Sequence, residues 1–96
     1  MFRKKNSSSS VTFNTLIGEG TVLDGNINCR DAMRIDGTVN GNVKSDADIL
    51  IGETAYIKGN VSGNTIYVSG KIEGNIYSKS TIHFFSTACI YGDIEA

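Results

Sequence analysis

A five-residue pattern of hydrophobic and polar positions recurs five times along the chain. Each copy has an apolar residue, a variable residue, glycine, asparagine or aspartate, and finally isoleucine or valine. The copies are Leu23–Ile27, Val39–Val43, Ile57–Val61, Ile72–Ile76 and Ile90–Ile94. Their last residues are 16, 18, 15 and 18 positions apart. A repeat of about 17 residues is shorter than those of helical solenoids and leucine-rich repeats, and it fits one turn of a β-helix with three short strands.

A double period is superimposed on this repeat, because long and short spacings alternate. Ile17, Ile51 and Phe84 stand at equivalent positions of every second repeat, and each begins a similar phrase. Ile35 and Val68 are related in the same way and begin the shorter phrases between them. The sequence therefore predicts a two-turn unit that is used about two and a half times.

Stacking turns of this length predicts three interior columns of apolar side chains. In such a solenoid each turn buries its apolar residues only against the neighbouring turns. The predicted columns are Leu23, Val39, Ile57, Ile72 and Ile90; Ile27, Val43, Val61, Ile76 and Ile94; and Ile17, Ile35, Ile51, Val68 and Phe84, the last flanked by Met33, Ile49, Ile66 and Ile82. We therefore expect an all-β chain: a parallel β-helix of about five turns over residues 15–96, preceded by an N-terminal tail over residues 1–14.

The glycine and the asparagine of each repeat are expected to form a corner between two strands. Glycine tolerates a positive φ, and asparagine is the next most tolerant residue type. Stacked Asn26, Asn42, Asn60 and Asn75, followed by Asp93, predict an amide ladder along one corner. A polar ligand groove along the same column is the alternative interpretation, and the structural ladder is favoured.

Composition adds a charge asymmetry to this picture. The chain has 11 Gly, no Pro and a net charge of −1. Arg3, Lys4 and Lys5 are three of its nine basic residues, so the remaining chain holds six basic and ten acidic side chains. An acidic body makes nucleic acid an unsuitable partner, whereas a basic tail indicates a separate interaction.

Neither a targeting segment nor a disulfide framework is visible. The chain has no run of 18 apolar residues and no apolar segment after the N-terminal charges, so the cytoplasm is the expected compartment. Cys29 and Cys89 would lie about 19 Å apart in the stack, too far for a disulfide. Cys29 is expected inside and Cys89 outside.

The chain offers no recognisable catalytic, cofactor or metal site. His83 is the only histidine, and the spacing places no acidic partner beside it. The phosphate-binding loop of nucleotide-driven filaments is absent. The alternative is a left-handed hexapeptide-repeat acyltransferase-like protein, since Ile17 and Leu23 are six residues apart, but the hexad is not sustained. An ice-binding solenoid is disfavoured because the threonines do not share one column.

Four phrases of the chain resemble the bactofilins, bacterial cytoskeletal proteins. They are Arg34–Val43, Ile51–Val61, Val68–Ile76 and Thr87–Ile94, and the resemblance covers about residues 15–96. It implies a right-handed β-helix that polymerises end to end without nucleotide. The resulting filaments usually have no directional polarity, because like ends meet. It also implies a scaffold at the inner face of the cell membrane, with cell-wall or morphogenesis proteins as partners.

The N-terminal residues are similar to the short membrane-binding segment of that family. They are Met1, Phe2, Arg3, Lys4 and Lys5. An aromatic ring can insert at the membrane interface, and each basic residue near an anionic leaflet contributes about 1 kcal/mol. A solubilising tail with no membrane contact is the alternative.

Uncapped β-helix ends predict the polymer contacts. Unpaired strand edges template pairing with another chain. The end residues of the three columns are Ile17, Leu23 and Ile27 at one end and Phe84, Ile90 and Ile94 at the other. A candidate lateral face is the outward column Leu16, Arg34, Leu50, Tyr67 and His83, for which scattered surface apolar residues are the alternative interpretation.

Overall fold

The computed structural model describes residues 15–95, and these residues form strands joined by short turns, with no helix among them. In chain order, strands β1 to β13 are Thr15–Ile17, Val22–Asp24, Ile27–Cys29, Met33–Ile35, Thr38–Asn40, Val43–Ser45, Ile49–Ile51, Tyr56–Lys58, Val61–Val68, Lys71–Glu73, Ile76–Phe84, Cys89–Tyr91 and Ile94–Glu95. Most strands have only three residues, because a glycine or a polar turn interrupts the β-branched runs at each corner.

The strands stack in parallel on three faces of a solenoid. The β2 face consists of β2, β5, β8, β10 and β12. The β3 face consists of β3, β6, the first parts of β9 and β11, and β13, whereas the β1 face consists of β1, β4, β7 and the last parts of β9 and β11. Since β9 and β11 each continue around a corner, thirteen strands occupy three positions in each of five turns. The predicted parallel solenoid, with three short strands per turn, is confirmed.

The three predicted interior columns are present in the predicted register. Leu23, Val39, Ile57, Ile72 and Ile90 are paired in succession on the β2 face. The columns that begin at Ile27 and Ile17 are paired in the same way on the other two faces. The middle turns form the core, where Ile57, Val68 and Ile72 have no exposed surface. Full burial of such a side chain stabilises the fold by roughly 1.5–3 kcal/mol.

The double period corresponds to two kinds of corner between the β1 face and the β2 face. In turns one, three and five a four-residue turn is closed by hydrogen bonds of 3.0–3.1 Å, as from the Ala55 amide to the Gly52 carbonyl. In turns two and four the corner is a dipeptide that ends in Gly37 or Gly70. A Cβ on Gly37 would lie 2.5 Å from the Gly18 carbonyl oxygen, so each short corner packs closely beneath a long one.

The Gly-Asn corner forms a ladder along the predicted column, and backbone amides are its donors. The Oδ1 atoms of Asn26, Asn42, Asn60 and Asn75 each accept a hydrogen bond of 2.9–3.0 Å from the backbone amide one turn later. Backbone amides at these corners point along the stack, and the asparagine side chain supplies the acceptor that the next amide would otherwise lack.

Replacing Asn60 with alanine should lower the free energy of unfolding by about 1 kcal/mol, since the Asn75 amide loses its acceptor at a corner that water can reach. Chemical denaturation followed by circular dichroism measures the change. Asn64→Ala is the matched control, because the Asn64 side chain makes no hydrogen bond within residues 15–95. Equal stability of the two variants would contradict the assigned role of the ladder.

Candidate functional site at the ends of the solenoid

The C-terminal end of the described stack presents an apolar surface. Phe84 and Ile94 are 46% and 49% exposed, and Ile90 is half-buried. Their counterparts one turn earlier, Val68 and Ile76, are 0% and 1% exposed. The difference arises because no further turn covers the last one within residues 15–95. The predicted C-terminal contact residues therefore lie together on one surface.

At the N-terminal end of the described stack, the first turn presents the other ends of the same three apolar columns. Ile17, Leu23 and Ile27 are half-buried and pack against the core. Within the described residues, β1, β2 and β3 pair on one side only, with β4, β5 and β6. Strand β12 at the other end likewise pairs only with β10. Both ends therefore combine apolar side chains with backbone groups that can extend a parallel ladder.

Two exposed aromatic residues of the last turn were missed by the sequence analysis. Phe85 is 52% exposed and Tyr91 is 58% exposed. Phe85 stands at the corner position that Gly18 and Gly52 occupy in turns one and three. A signal was available, because an aromatic residue at a position otherwise held by glycine indicates a different environment for the last corner.

The candidate lateral face is a real column on the β1 face. Leu16, Arg34, Leu50, Tyr67 and His83 are paired in this order. The rings of Tyr67 and His83 stack with centroids 4.9 Å apart. Leu16 is 63% exposed, and the Arg34 Nε donates to Asp36 Oδ2 at 2.8 Å. The column has the geometry of a contact surface, and its partner stays a prediction.

The β2 face carries a cluster of tyrosine, lysine and glutamate side chains. The Lys71 Nζ lies 4.9 Å from the ring centroid of Tyr56 and 5.3 Å from that of Tyr91. Tyr56 donates a hydrogen bond to the Glu73 carboxylate, which raises the pKa of the Tyr56 phenol. A hydrogen bond with Cys89 raises the pKa of Tyr91. The contacts of Lys71 and the hydrogen bond between Tyr56 and Glu73 tie adjacent turns together on a solvated surface.

Neither a metal-binding cluster nor a membrane-spanning helix is present within residues 15–95. Residues 15–95 contain no group of three or more His, Cys, Asp and Glu side chains placed to hold a metal ion. Cys29 and Cys89 are free, and Cys29 is half-buried whereas Cys89 is exposed, as predicted. No helix in this part of the chain could cross a bilayer. The candidate membrane-binding residues Met1–Lys5 lie outside the described residues.

Comparison with known proteins gives one family and one related structure. The family model described as "Bactofilin: Polymer-forming cytoskeletal" matches residues 15–96. The crystal structure of a mutant of the bactofilin from Thermus thermophilus is similar, with a TM-score of 0.78 and 23% sequence identity. That similarity covers 86% of this chain and 91% of the other. A search of curated proteins found no significant match.

Proposed function

Because this chain belongs to the bactofilin family of polymer-forming cytoskeletal proteins, we propose that it polymerises end to end into filaments that its N-terminal segment holds at a membrane. The observation that carries the first part is the apolar surface at the ends of the described turns, which is most exposed at the C-terminal end. Phe84, Phe85 and Ile94 are each about half exposed on one surface. Burying such a surface against another copy removes apolar area from water, and each Å² buried stabilises the contact by roughly 25 cal/mol.

Polymerisation of this kind requires no nucleotide. Contacts at the ends are made by side-chain columns and strand edges that are already formed in the folded subunit. The sequence contains no phosphate-binding loop. We therefore expect the purified protein to assemble in plain buffer, limited only by its concentration.

Membrane attachment is proposed for Met1, Phe2, Arg3, Lys4 and Lys5. One aromatic ring and three basic residues bind an anionic leaflet weakly, at about 1 kcal/mol for each basic residue. A filament presents many such segments at once, so weak binding becomes strong through avidity. We therefore expect the filaments to lie in the cytoplasm at the inner face of the cell membrane, where cell-wall or morphogenesis proteins are candidate partners.

Deleting residues 1–5 should abolish binding of the protein to anionic vesicles while leaving its filaments intact. Filaments pellet by themselves, so the measurement is flotation of the vesicles through a density gradient. The matched control replaces Arg3, Lys4 and Lys5 with glutamine and keeps the length of the tail. Flotation of the deleted protein at the wild-type level would contradict the membrane role, and loss of filaments would assign the segment to polymerisation instead.

The acyltransferase-like alternative gains no specific support from the fold. Its hexapeptide periodicity is absent, since the corners alternate between four-residue turns and dipeptides. His83, the one candidate base, stacks against Tyr67. The matching family is described as polymer-forming and cytoskeletal.

A further inference from the structure

The net negative charge of residues 15–95 is concentrated around one face. In the first three turns, six of the ten acidic residues lie on the two corners that border the β1 face. They are Glu19, Asp36 and Glu53 on one corner and Asp31, Asp46 and Asp48 on the other. Arg30 lies on the second of these corners, and Arg34 lies on the β1 face between the two corners. Elsewhere in the described chain four acidic and four basic side chains balance each other.

Between these acidic corners the outward column of the β1 face is apolar at Leu16, Leu50 and Tyr67, and its one arginine, Arg34, is paired with Asp36. Leu16 is 63% exposed, and Leu50 and Tyr67 are half-buried in the same outward column. A shallow depression beside this column is lined by Glu19, Arg34, Asp36, Glu53 and Thr54. The face therefore suits a short peptide that combines apolar and basic residues. It is poorly suited to an anionic membrane or to the same face of another filament, because both are negatively charged.

The N-terminal segment of this chain has that composition and is attached beside the face. Met1 and Phe2 are apolar, and Arg3, Lys4 and Lys5 follow them. The described chain begins at Thr15, the first residue of β1, next to Leu16. The ten residues from Lys5 to Thr15 span at most about 35 Å. Three stacked turns extend only about 10 Å along the solenoid, so the basic residues can reach both corners.

We infer that residues 1–5 dock on the β1 face of their own subunit when no membrane is present. The inference rests on the proposed membrane role and adds its regulation: the same residues bind either the acidic-rimmed face or an anionic bilayer. The docked tail hides the membrane-binding residues, so the apparent affinity for lipid is lowered by the fraction of tails that are docked. Avidity along a filament at an anionic surface then favours release of the tails.

Zero-length carbodiimide crosslinking of the full-length wild-type protein tests the docking directly. A crosslink forms only where a lysine amine touches a carboxylate, and mass spectrometry identifies the pair. We expect Lys4 and Lys5 to be joined to Glu19, Glu53 and neighbouring corner acids, with loss of these products when phosphatidylglycerol vesicles are added. Crosslinks from the tail lysines that are spread evenly over all acidic residues would overturn the inference. A complete lack of crosslinks from the tail lysines would overturn it as well. Crosslinks from these corners to body lysines of another copy would instead identify a lateral filament contact and also overturn it.

A pair of matched variants gives a second readout. Glu19→Gln with Glu53→Gln removes two exposed acids from the rim, and Asp24→Asn with Glu95→Gln removes two exposed acids from the other faces. The rim variant should bind anionic vesicles about threefold to fivefold more tightly than the wild type, because fewer tails are docked. An equal gain in the control variant would indicate general electrostatics and overturn the docking. If deletion of residues 1–5 leaves vesicle binding unchanged, the membrane role itself fails, whatever the crosslinks show.

Discussion

Replacing Ile94 with arginine is expected to convert filaments of this protein into dimers. Ile94 ends one interior column, is paired with Ile76, and is 49% exposed in the last described turn. A guanidinium buried there without a partner would weaken the C-terminal contact by roughly 3–5 kcal/mol. Since about 1.4 kcal/mol is a factor of ten in affinity, the critical concentration should rise at least about a hundredfold.

The size of the dispersed species also reports which ends meet. If like ends are in contact, as expected from the family resemblance, the N-terminal contact survives and leaves dimers. If unlike ends are in contact, the variant is monomeric. Analytical ultracentrifugation distinguishes the two states. Tyr77→Arg is the matched control, because Tyr77 is 46% exposed but points outward on the β3 face. Filaments of the Ile94 variant at the wild-type critical concentration would contradict the assigned end contact.

Replacing Gly59 with alanine should destabilise the subunit more than any surface substitution. Gly59 has a φ of +157°, and a Cβ built on it would lie 2.1 Å from the carbonyl oxygen of Gly41. Backbone strain and overpacking of this kind each cost about 1–3 kcal/mol. We expect a loss of roughly 3 kcal/mol or more in the free energy of unfolding, measured by urea denaturation in the dispersed Ile94→Arg background.

Gly25 provides the control for this prediction within the same column. Its φ is +136°, and a Cβ built on it meets no atom of residues 15–95 within 4 Å. Gly25→Ala therefore carries the cost of the positive φ without the clash, and it should lose about 1 kcal/mol. Similar losses in the two variants would show that the backbone conformation alone, and not the contact between turns, requires glycine.

The interior of this fold could be predicted from the sequence because a solenoid repeats its environment every turn. Positions such as Val39, Ile57 and Ile72 see the same neighbours one turn above and below, so periodicity alone gave their register. The alternation of long and short corners was visible as a closer match between every second repeat. The hand of the helix was implied only by the resemblance, because residue spacing is the same in either hand.

Features at the ends and on the surface were less predictable, since periodicity does not describe exposure. Phe85 and Tyr91 belong to the repeat, yet each is more than half exposed in the last described turn. The donor of the corner ladder depends on the direction of backbone amides, which no residue type specifies. The acidic corner did carry a signal, because Glu19, Asp36 and Glu53 recur at equal intervals, one in each of the first three turns.

Fibre diffraction from aligned, nucleotide-free filaments tests end-to-end polymerisation most directly. If solenoids stack along their own axes, every strand lies across the filament. The pattern should then show a strong meridional reflection at about 4.8 Å, the spacing of stacked strands. A reflection of that spacing on the equator would mean that the solenoids lie across the filament, and a protein that stays monomeric or dimeric at high concentration would form no fibre. Either result would contradict polymerisation through the ends.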